Sequence, residues 1–414
     1  MRSIQIINGR VITPFRVLPN AHVLISGGRI VEIVPVDGPP TSVAGLGPAA
    51  ANAGTNAPEN SDTLVIDAAG HYVSPGFIDL HVHGGGGHDF MDGTVEAFLA
   101  IAQLHARHGT TTMTPTTLSA GKAELVATLE TYEKVAANFI GMHLEGPYFA
   151  MNQRGAQDPR HIRNPDPAEY ISLIHRFPGI RRWSVAPELP GALEMAAFLR
   201  EKGILAAWAH TDALYEDILI AFEHGYTHAT HLYSAMLGVT RRNANRYAGA
   251  VEASFLIDEM TVEIIADGIH LPPPLLKLVC KIKGPDKIAL ITDAIRGAGM
   301  PEGETILGHK KDGLRAIIEG GVAKLPDRSA FAGSVATADR LVRNMVQLAD
   351  QSLPDAVRMM TSTPAAIMGV ADRKGSLLPG KDADIVIFDG NINIQTTIIG
   401  GEVVYSKEKT HAKR

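Results

Sequence analysis

Pro75-Gly76-Phe77-Ile78-Asp79-Leu80-His81-Val82-His83-Gly84-Gly85-Gly86-Gly87 is the stretch on which the fold turns. A short apolar run stops at two histidines spaced by one residue and then at a run of glycines. That is the pattern of a buried strand delivering imidazoles to a loop. Side chains alternate faces along a strand, so His81 and His83 point the same way and can grip one ion. Taken alone, H-x-H fits equally a buried strand with two hydrogen-bonded histidines. The rest of the chain separates these readings.

Downstream of Pro75, apolar strands alternate with helical segments up to about Gly369, the grammar of a parallel α/β architecture. The predicted strands run from Phe77 to Val82, Thr110 to Pro115, Phe139 to Leu144, Trp183 to Ala186, Ile204 to Ala209, His228 to Leu232, Val262 to Ala266 and Ile288 to Thr292. Eight strands with helices between them predict a (β/α)8 TIM barrel. Val95 to His108 and Asp339 to Ala349 read as amphipathic helices, with Gly109 stopping the first.

Upstream, Ile4 to Ile7, Ala21 to Ile25, Ile30 to Val34, Leu64 to Asp67 and His71 to Val73 read as short strands. Asn8-Gly9 and Gly27-Gly28 stand as hairpin signals. After the barrel, Ala383 to Phe388 and Thr396 to Val404 return to strands. Both chain ends are therefore expected to meet in one small discontinuous β-sandwich domain, residues 1–73 and 375–414, around a catalytic barrel of residues 74–374. Between Asp37 and Asp62 the chain is rich in Pro, Ala, Gly and Asn without apolar periodicity, so an extended loop is expected there, serving as a lid or a plain insertion. The tail from Ser406 reads as a frayed terminus.

Composition bounds the function. The 414 residues suffice for one large and one small domain, and 45% hydrophobic with 20% charged residues is ordinary for a globular protein. A net charge of -6 gives no support to nucleic-acid binding, and an anionic substrate would need a local cluster of cations. Cys280 is the single cysteine, which suits a reducing compartment. The opening MRSIQIINGRVITPFR lacks the apolar run of a secretory signal, and no long apolar span follows, so a cytoplasmic enzyme without membrane contact is expected.

Catalytic groups of such barrels come from the C-terminal ends of the strands. Here the predicted strands end at His81 and His83, Glu145, His210, His231, Asp267 with His270, and Asp293. All are metal-ligand or acid/base types. Imidazole and carboxylate without thiolate suit Zn²⁺ or another divalent transition ion such as Fe²⁺, with a coordination position left for water. A bound ion acidifies that water and polarises a carbonyl, while one carboxylate shuttles a proton from nucleophile to leaving group. Asp293, after Ile291-Thr292 on the last strand, is the candidate for that shuttle.

The motifs PGFIDLHVHGGGG, GMHLEGPYF followed by RGAQ, WAHTDA, ATHLYSAM, DGIH, LITDA and FAGS span residues 75–334. With them the chain resembles the N-acetylglucosamine-6-phosphate deacetylases of the amidohydrolase superfamily. The resemblance implies deacetylation of an amino sugar phosphate, with Glu145, His210 and His231 holding the essential metal. Many superfamily relatives bridge two ions with a carboxylated lysine on the fourth strand, but Arg181 to Glu188 contains no lysine. Glu145 takes that role in the resembling family. Because His81 and His83 are present, a second ion bound with Glu145 and Asp293 is expected.

The family's phosphate site maps onto His270, an arginine after the sixth strand, and the backbone of an Asn-Ala pair that is Ser234-Ala235 here. Arg242 is nearest the arginine position, within a cluster with Arg241 and Arg246, and is expected to reach across a homodimer interface. After Arg154-Gly155, Ala156 and Gln157 lie in the substrate region, with Gln157 standing where many members place a histidine that polarises the amide carbonyl. Phe331, Ala332 and Gly333 match a sugar-contacting turn. His88, His105, His108, His161, His224 and His228 are expected to be structural or exposed. The resemblance leaves open the galactosamine epimer, another N-acyl amide hydrolase, and a silent sugar-phosphate sensor.

Overall fold

The computed structural model describes residues 3–36, 63–135 and 137–407. The expected loop from Asp37 to Asp62 and nearly all of the basic tail lie outside the described residues. All eight predicted parallel strands form, as Phe77–Val82, Thr110–Pro115, Met142–Glu145, Ile180–Val185, Leu205–Trp208, Tyr226–Ala229, Thr261–Ile264 and Ile288–Leu290. The last six make one continuous parallel run, and the first two pair with each other.

Both seams between these runs are stitched. Parallel bridges join Met113 to Phe139 and Thr116 to His143 on one side, and Val82 to Ala294 on the other. At the second seam Asp293 N–H donates to the His81 carbonyl at 2.8 Å and His83 N–H to the Ala294 carbonyl at 2.8 Å. The parallel sheet is thus curled so that its first and eighth strands meet, and His81, His83 and Asp293 come together where they do. Asp79 reinforces the closure by accepting from the Thr292 hydroxyl at 2.5 Å and the Thr292 N–H at 3.2 Å.

Helices cover the outside of the sheet for the reasons the sequence supplies. In Val95–Arg107, Phe98, Ile101, Ala102 and Ala106 recur on one buried face. Its Thr94 cap accepts from Ala97 N–H, and left-handed Gly109 follows its end. Asp166 caps Pro167–Arg176, with proline at the first helical position. Trp183 and Trp208, both fully buried, anchor the main core.

Strands from both chain ends share one mixed sheet of eight strands that branches at Ile4–Ile12. This strand pairs with Val17–Ser26 along one edge and with both Leu64–Asp67 and Tyr72–Pro75 along the other. Ile6, Val23, Val73, Ile385 and Ile398 form part of its separate core. Two local expectations change. Asn8-Gly9 is no hairpin turn: Ile4–Ile12 runs straight through it as a bulge with register shifts on both sides of Gly9. The signal reported the left-handed backbone correctly, with Asn8 at φ 56°, but a bulge needs that conformation as much as a turn does. The predicted strand Thr396 to Val404 is a hairpin, Ile394–Ile399 and Glu402–Ser406, split at Gly400-Gly401. A three-stranded antiparallel sheet, Gly303–Leu307, Leu314–Glu319 and Val322–Lys324, follows the eighth parallel strand and was not predicted from the sequence.

Candidate metal centre and substrate pocket

Glu145 ends the third parallel strand and is the hub of the site. One oxygen, Oε1, lies 2.9 Å from His231 Nε2, 3.5 Å from His210 Nε2 and 3.4 Å from His81 Nε2. The other, Oε2, lies 3.4 Å from His83 Nε2. His81, His83 and Glu145 form one triad of convergent ligand atoms, and Glu145, His210 and His231 form a second. All five side chains are buried. Asp293 completes the ring, its Oδ1 being 3.2 Å from His83 Nε2 and 3.5 Å from His81 Nε2.

The local backbone explains why ligands from different strands aim at one point. His210, His231 and Asp293 follow their strands in left-handed conformations, with φ of 48°, 30° and 47°. Such backbone is costly for residues with a Cβ and persists where its surroundings hold it. For Asp293 the hold includes Gly333. A Cβ on that residue would stand 2.9 Å from the Asp293 carbonyl oxygen, and its φ of 67° also favours glycine.

The donor set fits a cation. His210 Nδ1 lies 2.8 Å from the Gln153 carbonyl and His83 Nδ1 3.3 Å from the Thr116 carbonyl, which favours a proton on Nδ1 and turns the Nε2 lone pair inward. His81 Nε2 and His83 Nε2 are 3.1 Å apart, a contact that requires a proton or a metal between two lone pairs. Burial works against charge on His83, yet the facing carboxylates of Asp293 and Glu145 outweigh it and raise the imidazole to about 10. Burial likewise opposes ionisation of Glu145, but the surrounding imidazoles hold its carboxyl well below the usual range. Two buried carboxylates ringed by imidazole nitrogens form a site short of positive charge, which a divalent ion would supply.

Above this floor opens a cavity of about 380 Å³. Its walls include Ala156, Gln157, Ser234, Ala235, His270, Phe331 and Gly333, each of which the sequence had singled out. Gln157 donates from Nε2 to Glu145 Oε2 at 2.6 Å and accepts from Ser119 N–H at 2.8 Å, so its amide holds the hub carboxylate. The His270 ring is fixed by Asp267, 2.8 Å from its Nδ1, and packs on Phe331 with ring centroids 4.4 Å apart. Ala332 is fully buried and does not line the cavity. Arg242 is exposed on the hairpin Thr240–Arg242 and Asn245–Tyr247 and does not line the cavity.

Other residues reach the site without having been predicted. Leu307 and Ala330 line the cavity from the three-stranded sheet and the loop after it. Arg182 and Glu263 lie buried beneath the ligands as an ion pair. The signal for them was a charge beside or within a predicted strand, Arg182 just before Trp183 and Glu263 after Val262. Among the histidines expected to be structural, His105 is buried against the Gly84 carbonyl at 3.0 Å, and His224 caps its own helix through Ile220.

An amidohydrolase family profile matches residues 72–404, most of the chain. The chain belongs to the amidohydrolase family. It is 33% identical to an N-acetylgalactosamine-6-phosphate deacetylase from Escherichia coli O157:H7, over 82% of this chain and 89% of that one. With the N-acetylglucosamine-6-phosphate deacetylase of Bacillus subtilis it shares 30% identity over 96% of both chains. Its fold superposes with a TM-score of 0.85 and 29% identity on a mutant N-acetyl-D-glucosamine-6-phosphate deacetylase from Mycobacterium smegmatis, solved in complex with N-acetyl-D-glucosamine-6-phosphate. That match covers 98% of this chain and 100% of the other. Within its family the chain groups with these deacetylases.

Proposed function

We propose that this protein hydrolyses the acetamide of N-acetyl-D-glucosamine 6-phosphate, releasing acetate and D-glucosamine 6-phosphate. The observation that carries the reading is the pair of ligand triads sharing Glu145 at the floor of a pocket lined by His270, Ser234 and Gln157. Relatives that bear this activity in their names align along most of the chain. The donor set of imidazole and carboxylate favours Zn²⁺ over harder ions, with Fe²⁺ as the nearest competitor.

A divalent ion in this site supplies Lewis-acid polarisation of the acetyl carbonyl and an acidified water. Glu145, His210 and His231 would hold the first ion, and His81 and His83 with Glu145 and Asp293 a second. Asp293 takes the proton from the attacking water and delivers it to the nitrogen as the C–N bond breaks, leaving acetate and the free amine. Its carboxyl suits the first half of this task. Burial opposes its ionisation, but His81 and His83 hold it below the usual carboxylate range, so it meets the water as a base. Gln157 keeps Glu145 oriented while the charge on the carbonyl oxygen grows.

His270 and the Ser234-Ala235 backbone bind the phosphate end, and Arg242 reaches it from the partner subunit of a homodimer. The arginine hairpin supports this role. Arg241 and Arg246 lie directly opposite each other across it, a like-charge pairing that costs stability unless an anion neutralises it. Among the described residues no helix is long and apolar enough to cross a membrane. With a single cysteine and a sugar-phosphate substrate, a cytoplasmic location follows. The relative from Escherichia coli named for the galactosamine epimer supplies a second reading, in which the sugar differs only in the orientation of one hydroxyl. Acetate release from the 6-phosphates of N-acetylglucosamine and N-acetylgalactosamine separates the two, and release from neither overturns both.

A further inference from the structure

Barrel interiors are ordinarily filled by branched aliphatic side chains. Directly beneath the ligands this one holds a charged pair that no step of the proposed reaction uses. Arg182 on the fourth parallel strand and Glu263 on the seventh are both fully buried. The guanidinium donates to Glu263 Oε1, to the Leu80 carbonyl at 3.1 Å and to the Thr230 hydroxyl at 2.9 Å. His228 Nε2 lies 3.2 Å from the same Glu263 oxygen. Desolvating two such charges carries a large penalty, and a well-packed apolar pair generally serves stability as well or better. Stability alone is thus a poor reason for their presence.

The second oxygen of Glu263 supplies a better one. Oε2 lies 3.5 Å from His81 Nδ1 and accepts from the His231 backbone N–H at 3.4 Å. It therefore touches one ligand from each triad. His83 and His210 turn their Nδ1 atoms to backbone carbonyls. His81 Nδ1 is buried without a hydrogen bond, and Glu263 is the acid that faces it. An imidazole that gives its Nε2 lone pair to an ion carries its proton on Nδ1 and needs an acceptor there. A contraction of a few tenths of an ångström would bring that contact into hydrogen-bond range.

We propose that Glu263 is a positioning residue. It orients the His81 ring toward its ion and tethers the His231 backbone, while Arg182 and His228 lock the carboxylate in place. This rests on the metal reading given above, so the test reads metal rather than turnover. Metal content and affinity, by elemental analysis and chelator competition with Zn²⁺, are compared among wild type, His81→Ala, Glu263→Gln and the double variant Arg182→Met/Glu263→Leu. The double variant leaves no lone buried charge and carries the test if Glu263→Gln does not fold. The folded Glu263 variants are expected to weaken the same ion that His81→Ala loses, by on the order of 10–100-fold, and to weaken the other, whose ligand His231 meets Glu263 only through its backbone N–H, by less. A folded double variant holding both ions with wild-type affinity overturns the proposal, as does a His81→Ala protein that loses no ion. A wild type that binds no ion at all sinks the metal reading itself.

Discussion

The two ends of the catalytic pocket are built on different principles. At the metal end every proposed ligand is buried, and backbone carbonyls fix the second nitrogens of His83 and His210 while Gln157 holds the second oxygen of Glu145. At the end proposed to bind phosphate His270 is fixed by Asp267, but Ser234 and Ala235 lie on a loop, and the arginines stand exposed on a two-stranded hairpin. The proposed metal ligands all come from one chain, whereas the end proposed to bind phosphate would need a second. Chemistry should thus fail sharply when the first end is altered, and binding should fail gradually when the second is.

The largest effect expected is from Glu145→Ala, which removes the ligand shared by both triads. Elemental analysis should find neither ion, and turnover should fall below detection; a variant retaining one ion at full occupancy would break the shared-hub account. Next comes Asp293→Asn, which should lower kcat on the order of 10²–10⁴-fold while the ion held by Glu145, His210 and His231 stays at its wild-type occupancy. Steady-state kinetics with near-normal kcat would remove Asp293 from the proton path. At the other end, Arg242→Ala should raise KM for the phosphorylated sugar about 10-fold with kcat nearly intact, the loss of one charge-assisted hydrogen bond. An equal loss with an unphosphorylated sugar would show that the arginine does not read the phosphate.

The contrast also explains what was legible in the sequence. Strand ends are marked by apolar runs that stop at a polar residue, so His81, His83, Glu145, His210, His231 and Asp293 could be picked out before any coordinates. The fourth-strand stretch lacks the superfamily's lysine, and nothing local marks Arg182 there as a buried cation. A charge inside a strand has no local marker for its partner, since Glu263 is 81 residues away in the chain. The sheet of Gly303–Leu307, Leu314–Glu319 and Val322–Lys324 escaped because it interrupts the strand–helix alternation, yet it helps wall the pocket. Asn8-Gly9 shows the remaining weakness: a residue pair reports a backbone conformation, and tertiary pairing decides whether it turns the chain or bulges it.

The smallest effect concerns the frame behind the metal end. Burial holds the His105 imidazole down to about 4, against the opposing pull of the Gly84 carbonyl and the Asp339 charge. In the unfolded chain it protonates near 6.5. Between those values the unfolded state takes up a proton that the native state refuses, so stability is intact above about 6.5 and falls as pH drops toward 4, by up to about 3 kcal/mol. Urea unfolding at pH 7 and pH 5 should show this loss in wild type and a smaller one in His105→Gln. Identical pH dependence in both would assign the loss to other groups.

The most direct test joins the two ends of the pocket in one assay. Acetate release is measured with N-acetyl-D-glucosamine 6-phosphate, its galacto epimer and unphosphorylated N-acetyl-D-glucosamine, on the protein as purified, after chelation, and after Zn²⁺ is restored. The account predicts release from N-acetyl-D-glucosamine 6-phosphate in preference to the unphosphorylated sugar, lost on chelation and recovered with the ion. No release from either phosphorylated sugar by metal-replete protein, or release undiminished in the metal-free protein, would contradict it.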